Sequence, residues 1–240
     1  MAPLTFLITA GPTIEDIDPV RFISNRATGK LGVALSVSVV RAGHAVILIH
    51  GPVHDSVLAS VQNLTRVKRI AVRSAADMHR AVMANVSRCD VLIMNAAVAD
   101  YTPAATSVFK LKKTDQTLTL KLKSTVDILQ ALGALKKRPL LIGFALETGT
   151  GNTAAQRKKS RLSEALRKME SKNLDAIVLD TPAAMGGDVS DFELLSGHCR
   201  PQTFKKMSKR DFAEKLVRFS LQLAALEASL DSIQAQRRRS

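Results

Sequence analysis

Short, continuous apolar runs alternate along this chain with stretches of helical spacing. The runs lie at 4–9, 44–51, 67–72, 90–100, 139–148 and 174–180; helical patterns occupy 31–43, 74–88, 153–172 and 208–233. A strand that is apolar throughout, rather than at every second position, is covered on both faces, and the intervening helices supply the cover. The pattern predicts an α/β fold, doubly wound, with a mostly parallel Rossmann-like sheet. In such folds ligands bind beyond the carboxyl ends of the strands. Four segments lie at the carboxyl ends of predicted strands, three of them glycine-bearing: the stretch 8–32, "NAAVADY", "FALETGTG" and "LDTPAAMGG". They are expected to converge on one crevice.

Two regions break the rhythm. After the first strand, "ITAGPTIEDIDPVRFISNRATGKLG" holds no helical spacing until about residue 31. Loops of this length inside a compact domain are usually functional or disordered, and the glycines, Arg21 and the helix-opening "GK" favour function. Later, "TLTLKL" at 117–122 alternates strictly, which predicts a strand with one exposed face. With "FKLKK" and a "TDQ" turn before it, this reads as an antiparallel arm that docks on a second subunit. The helix start at Ser74, with Asp77 three residues on, has the form of a capping box. No internal repeat or linker divides the chain, so residues 1–233 are expected to be one domain and 234–240 a basic flexible tail.

Composition narrows the function classes. Hydrophobic residues make up 46% of the 240, enough for a substantial core, and no run is long enough to span a membrane. The start reads directly as a strand rather than a leader, and two cysteines make no disulfide framework; a cytoplasmic setting is expected. The excess of 35 basic over 21 acidic residues, +14 in all, suits anionic partners such as nucleotides or phosphorylated metabolites. A nucleic-acid binder is disfavoured, because no helix-turn-helix, RRM or KH signature is present and aromatics are only 4%.

The dinucleotide fingerprint of glycines and the Walker motif are both absent, and the five histidines lack metal-ligand spacing. "GKLG" opening the first helix offers backbone N–H groups to an anion, a weak signal alone. Asn95 and Asp100 stand at a strand's carboxyl end, where they suit either a sugar or base contact or a turn. "FKLKK" puts Lys110 and Lys112 on one face of an extended segment, suited either to phosphate binding or to a solvated edge. His44 and Cys89 read as structural.

Taken in order, "TAGPT…IDPVRFISNRATGKLG", "NAAVADY", "FKLKK", "GFALET", "KNLDAIVLD" and "KMSKRDFAEKLV" resemble the phosphopantothenate–cysteine ligase family (phosphopantothenoylcysteine synthetases) over residues 4–225. The resemblance implies a ligase of coenzyme A biosynthesis, in its bacterial monofunctional form and without flavin. It joins 4′-phosphopantothenate to cysteine through an acyl cytidylate, with CTP and Mg²⁺ as the nucleotide and metal, as a homodimer whose 109–123 arm crosses to the partner. It places Asn25 at the residue that passes the acyl nucleotidate on to product, and Lys110 at the residue needed to form it. Met94, Asn95, Ala96, Asp100, Val126, Asp127, Ile128, Leu129, Phe144, Lys168 and Lys172 fall at nucleotide-binding positions. Gly11, Thr13, Arg21 and Gly29 fall in the loop that shapes the site and binds phosphopantothenate; the metal ligands are not assigned.

This chain departs from the family at Ala27-Thr28-Gly29, where "SSG" is usual, and at Leu179-Asp180-Thr181, where "AND" is usual. The second change puts a ligand role for that corner in doubt. The runner-up reading is an NADPH-dependent reductase of the same fold, suggested by the "NAA" strand end. Tyr101, the single tyrosine, lacks the lysine four residues later that such reductases use.

Overall fold

A computed structural model describes residues 2–113, 117–180 and 187–237, with side chains up to residue 230. One sheet of eight strands organises it. Six are parallel: β1 (Thr5–Ala10), β4 (Ala45–His50), β5 (Val67–Ala71), β6 (Val91–Met94), β9 (Leu140–Leu146) and β10 (Ala176–Asp180). Two more, β11 (Val189–Ser196) and β12 (Cys199–Ser208), extend one edge antiparallel. The spatial order is β12-β11-β10-β9-β6-β1-β4-β5. From β1 the chain winds outward through β4 and β5, then returns to place β6 on the other side of β1. That reversal between β1 and β6 opens a crevice at their carboxyl ends.

The alternation of β1 across the sheet shows why the strands are apolar throughout. Phe6, Ile8 and Ala10 enter a core with helices α1 (Lys30–Arg41) and α6 (Lys209–Arg237), whereas Leu7 enters a second core with α3 (Ala75–Asn85), α4 (Ile128–Gly133) and α5 (Ala154–Ser171). Both faces are buried, so no position in β1 after its first residue tolerates water. Helix α6 is anchored by Phe212, whose ring stacks on Phe192 of β11 at 3.8 Å.

Local chemistry sets the helix starts. Ser74 and Asp77 form the reciprocal capping box expected from the sequence, and Thr153 and Gln156 form a second at α5. Helix α2 (Asp55–Gln62) starts less conventionally, with the His54 ring accepting the Ser56 N–H. His44 is structural as read: its Nδ1 accepts the Leu4 N–H at 3.0 Å. Burial raises the Cys89 thiol to about 12, as expected of an inert small hydrophobe.

The arm differs from its expected form. Residues 117–121 form no strand; pairing is confined to β8 (Leu122–Ser124) against β7 (Tyr101–Pro103) rather than against "FKLKK". The alternating leucines lack a covering layer here, and Leu118 remains 59% exposed. The "TDQ" turn at 114–116 and residues 181–186 lie outside the described residues. The opening stretch also contains a hairpin that was not anticipated, β2 (Ile14–Asp16) with β3 (Phe22–Ser24). Helix α6 continues through Arg237, past the expected end at 233.

Candidate active site

At the carboxyl end of the sheet lies a cavity of about 690 Å³. All four segments expected to converge contribute to it: Gly11 and Asn25 to Leu31 bar Arg26, Met94 to Asp100 bar Ala99, Phe144 to Leu146, and Asp180. Its floor is built by the β1 and β6 ends together. The buried Thr9 hydroxyl oxygen accepts the N–H groups of Asn95 and Ala96 at 3.1 and 3.0 Å, which fixes the turn leaving β6. Four residues after Thr9, the buried Thr13 hydroxyl accepts the Ala99 N–H at 3.0 Å. The Ala97 N–H reaches Gly11 O at 2.9 Å. The ends of β1 and β6 are thereby laced into one surface.

Glycine is required where this lacing is tight. Gly11 and Gly29 both adopt φ +77°, and a Cβ on either would come within 2.7 Å of the Val53 side chain. Gly29 also caps α1 without any side-chain hydrogen bond, and the first turn of α1 carries no acid. Among the described residues no side chain caps that helix start, which borders the cavity and is favourable to a bound anion.

Asn25 follows β3 and lines the cavity; its amide nitrogen donates to Ala97 O at 2.9 Å. The opposite wall is α4 and its entry. Thr125 N–H reaches Asp100 O at 2.9 Å and its hydroxyl donates to Ala99 O, so residues 124–127 are held beside the "NAAVADY" turn. Asp127 then caps α4 through the Gln130 N–H and pairs with Lys172 at 2.7 Å. Burial opposes the charge on Asp127, but Lys172 and the cap hold its carboxyl below the ordinary carboxylate range. Lys168, one turn before Lys172, pairs with Glu147 at 2.5 Å.

Fourteen of the seventeen sequence-assigned positions line this cavity: Gly11, Asn25, Gly29, Met94, Asn95, Ala96, Asp100, Val126, Asp127, Ile128, Leu129, Phe144, Lys168 and Lys172. Thr13, Arg21 and Lys110 do not. Thr13 lies beneath the surface as a strut. Arg21 is turned onto Asp18 and Leu111, and Lys110 is exposed on the segment beside it.

The sequence reading missed two lysines. Lys30 lines the cavity and pairs with Asp188 at 2.6 Å. Lys209, first residue of α6, lines it too; burial, with Lys30 nearby, lowers its ammonium pKa against the opposing pull of Asp180 and Asp188. The signal for Lys30 was the helix-opening "GK"; that for Lys209 was Ser208-x-x-Asp211, an N-cap realised by the Asp211 N–H to the Ser208 hydroxyl, which brings a helix start and its lysine to the strand ends.

Four lysines thus stand around one crevice with acids beside them. Such a site can gather a polyanion, because the pairs of Lys30, Lys168 and Lys172 are partly exposed, and ion pairs of that kind contribute little and can be exchanged for ligand oxygens. Among the described residues no group of three or more histidines, cysteines or acids could cage a metal.

Comparison with known proteins agrees with the geometry. A family model for the C-terminal domain of DNA/pantothenate metabolism flavoprotein matches residues 1–223. The chain is 46% identical over 180 residues to the coenzyme A biosynthesis bifunctional protein CoaBC of Bacillus subtilis strain 168, covering 75% of this chain and 41% of that protein. It is 38% identical over 221 residues to a cysteine/cysteine sulfinic acid decarboxylase of an unknown prokaryotic organism, covering 90% and 57%. The chain therefore spans about half the length of these curated relatives. Among solved structures, the C-terminal domain of a CoaBC protein aligns with a TM-score of 0.73 and 32% identity, over 94% of this chain and 96% of that one. The chain belongs to the family of the DNA/pantothenate metabolism flavoprotein C-terminal domain.

Proposed function

We propose that the chain is a phosphopantothenate–cysteine ligase that activates its acid substrate with CTP. The observation that carries this reading is the cavity at the β1/β6 crossover, where Asn25, the "NAAVADY" turn and four lysines meet. A carboxylate is a poor acylating agent, so amide formation needs a leaving group. In the reaction proposed, a carboxylate oxygen of 4′-phosphopantothenate attacks the α-phosphorus of CTP and pyrophosphate departs. The amine of cysteine then attacks the acyl carbon, loses a proton and releases CMP. Both substrates of the first step are anionic, which is why ordered cations and a helix N-terminus beside the cavity matter.

In this reading Met94, Asn95, Ala96 and Asp100 hold the nucleotide at the β6 end, with Val126 to Leu129 and Phe144 closing round it. Lys168 and Lys172 neutralise phosphate oxygens, and Lys30 and Lys209 extend that field. Lys110 offsets charge on the α-phosphate and pyrophosphate during activation. Asn25, with an amide already aligned on a backbone carbonyl, orients the acyl intermediate or the incoming amine. Gly11, Thr13 and Gly29 shape the phosphopantothenate side. Mg²⁺ would enter with the nucleotide and be held mainly by its phosphates, since this ion commonly takes one or two protein carboxylates rather than a full cage. When bound it would supply further charge neutralisation at the triphosphate.

Calorimetric titration separates this from the reductase reading. Saturable binding of CTP with Mg²⁺, and none of NADPH, is expected; binding of NADPH without CTP would overturn the assignment.

The proposal includes a homodimer in which the arm crosses to the partner. Val108, Phe109, Leu118 and Leu122 support it, being 83, 80, 59 and 46% exposed on a single chain. An apolar strip of this kind normally marks an interface. Sedimentation is expected to show a dimer at micromolar concentration. A monomer that keeps full activity would refute the crossing arm.

A further inference from the structure

We propose that Asp18 and Arg21 form a clasp that sets the position of the Lys110 segment, which makes Asp18 a positioning residue for nucleotide activation. The inference rests on the reading of Lys110 given above, but the clasp itself rests on contacts. Asp18 is 2% exposed. Its Oδ1 accepts the N–H groups of Val20 and Arg21, both at 2.8 Å. Its Oδ2 accepts Arg21 Nε at 3.0 Å, Arg21 Nη2, and the Leu111 N–H at 3.1 Å. Arg21 Nη2 then donates to Leu111 O at 2.7 Å. One ion pair thus holds both backbone polar groups of Leu111, the residue after Lys110.

Little else could fix that stretch. Residues 104–113 belong to no helix or strand; the Ala104 N–H still reaches Lys121 O at 2.9 Å, but past it Val108, Phe109 and Lys110 are exposed, so among the described residues no ladder or packing sets the course of 105–113. What holds them comes from the opening loop. Besides the clasp, the Ser107 N–H donates to Ile17 O at 3.0 Å and the Thr106 hydroxyl to Asp16 O at 3.1 Å. Asp16 is tied in turn to Arg73, at the end of β5, by two hydrogen bonds of 2.9 and 2.6 Å.

The clasp also stands at the root of β3, whose far end delivers Asn25 to the cavity. One hairpin therefore holds the root of the segment that carries Lys110 and, at its other end, delivers Asn25 to the cavity of its own chain. The charge of the acid matters as much as its shape. Arg21, with the surrounding N–H donors, keeps the Asp18 carboxyl well below the usual carboxylate range, so it stays ionised at neutral pH. An amide in its place would turn a donor toward Arg21 or toward the Leu111 N–H.

The test uses the full chain and Asp18→Asn. Hydrogen exchange of peptides spanning 104–113 is expected to quicken about tenfold, the scale of losing a charge-assisted hydrogen bond, while exchange in β6 stays unchanged. Unaltered exchange at 104–113 would overturn the clasp. Pyrophosphate release from CTP with 4′-phosphopantothenate, measured without cysteine, is expected to fall about tenfold on the same scale. In a Lys110→Gln background the same substitution is expected to add nothing, because it acts through that lysine. Fully additive losses would overturn the positioning role. If Asp18→Asn does not fold, Arg21→Lys, which keeps a cation but cannot hold Leu111 and Asp18 together, is put through both measurements with the same expectations. A parent chain that releases no pyrophosphate would defeat the functional reading, while the exchange measurement would still decide the clasp.

Discussion

Lys110→Gln is expected to lower formation of the acyl nucleotidate about a hundredfold, the usual scale for removing one well-placed electrostatic contact, on the order of 3 kcal/mol. The glutamine keeps most of the side chain's length and polarity but removes the cation that offsets charge as pyrophosphate leaves. Lys110 is exposed and makes no core contact, so fold stability is expected to be unchanged. Rapid-quench mass spectrometry checks the result. Little or no intermediate is expected at any time, with or without cysteine. Normal formation of intermediate followed by slow consumption would assign Lys110 to the second step instead.

The complementary substitution separates the half-reactions. Asn25→Asp is nearly isosteric, yet it replaces the amide that donates to Ala97 O with a carboxylate acceptor facing another acceptor. It also turns negative charge toward an anionic intermediate. Activation is expected to proceed, because the lysines remain, whereas transfer to cysteine is expected to slow about a hundredfold, again the scale of one misplaced electrostatic group. The intermediate is therefore expected to accumulate in quenched mixtures. Accumulation in the Lys110 variant and never in the Asn25 variant would show the two roles to be reversed.

The parallel core was legible because burial on both faces leaves the same mark on every strand. A run such as "AVILI" is apolar in both phases, the mark of a strand covered on both faces. The capping box at Ser74 was legible for a related reason: its chemistry is local and needs nothing from the rest of the chain. Elements stabilised by distant partners were not. Strand β12 carries Pro201 and is mostly exposed, so its pattern says nothing until β11 lies beside it. The β2–β3 hairpin has only three residues a side and borrows its stability from contacts to Arg73 and to residues 106–111. The arm failed in the opposite direction. Its alternation is genuine, but alternation predicts a strand only where a neighbour supplies the ladder, and a single chain supplies that only for Leu122–Ser124.

The site divides along the same line. The segments at the strand ends could be sent to one crevice by topology, while the individual residues in them were assigned by the family resemblance. Thr9 reads as one more strand position, although its hydroxyl organises the turn at Asn95 and Ala96. Arg21 reads as a ligand-binding cation, although its guanidinium is engaged by Asp18 and Leu111. Loops alone do not reveal which of their polar groups face inward.

The central claim is tested most directly by incubating the full chain with 4′-phosphopantothenate, cysteine, Mg²⁺ and either CTP or ATP. The monophosphate released and the mass of the product are the readouts. The account predicts CMP from CTP in step with a phosphopantothenoylcysteine product, and markedly less AMP from ATP. Release of AMP as fast as CMP would contradict the choice of nucleotide, and the absence of any cysteine-dependent product would contradict the function itself.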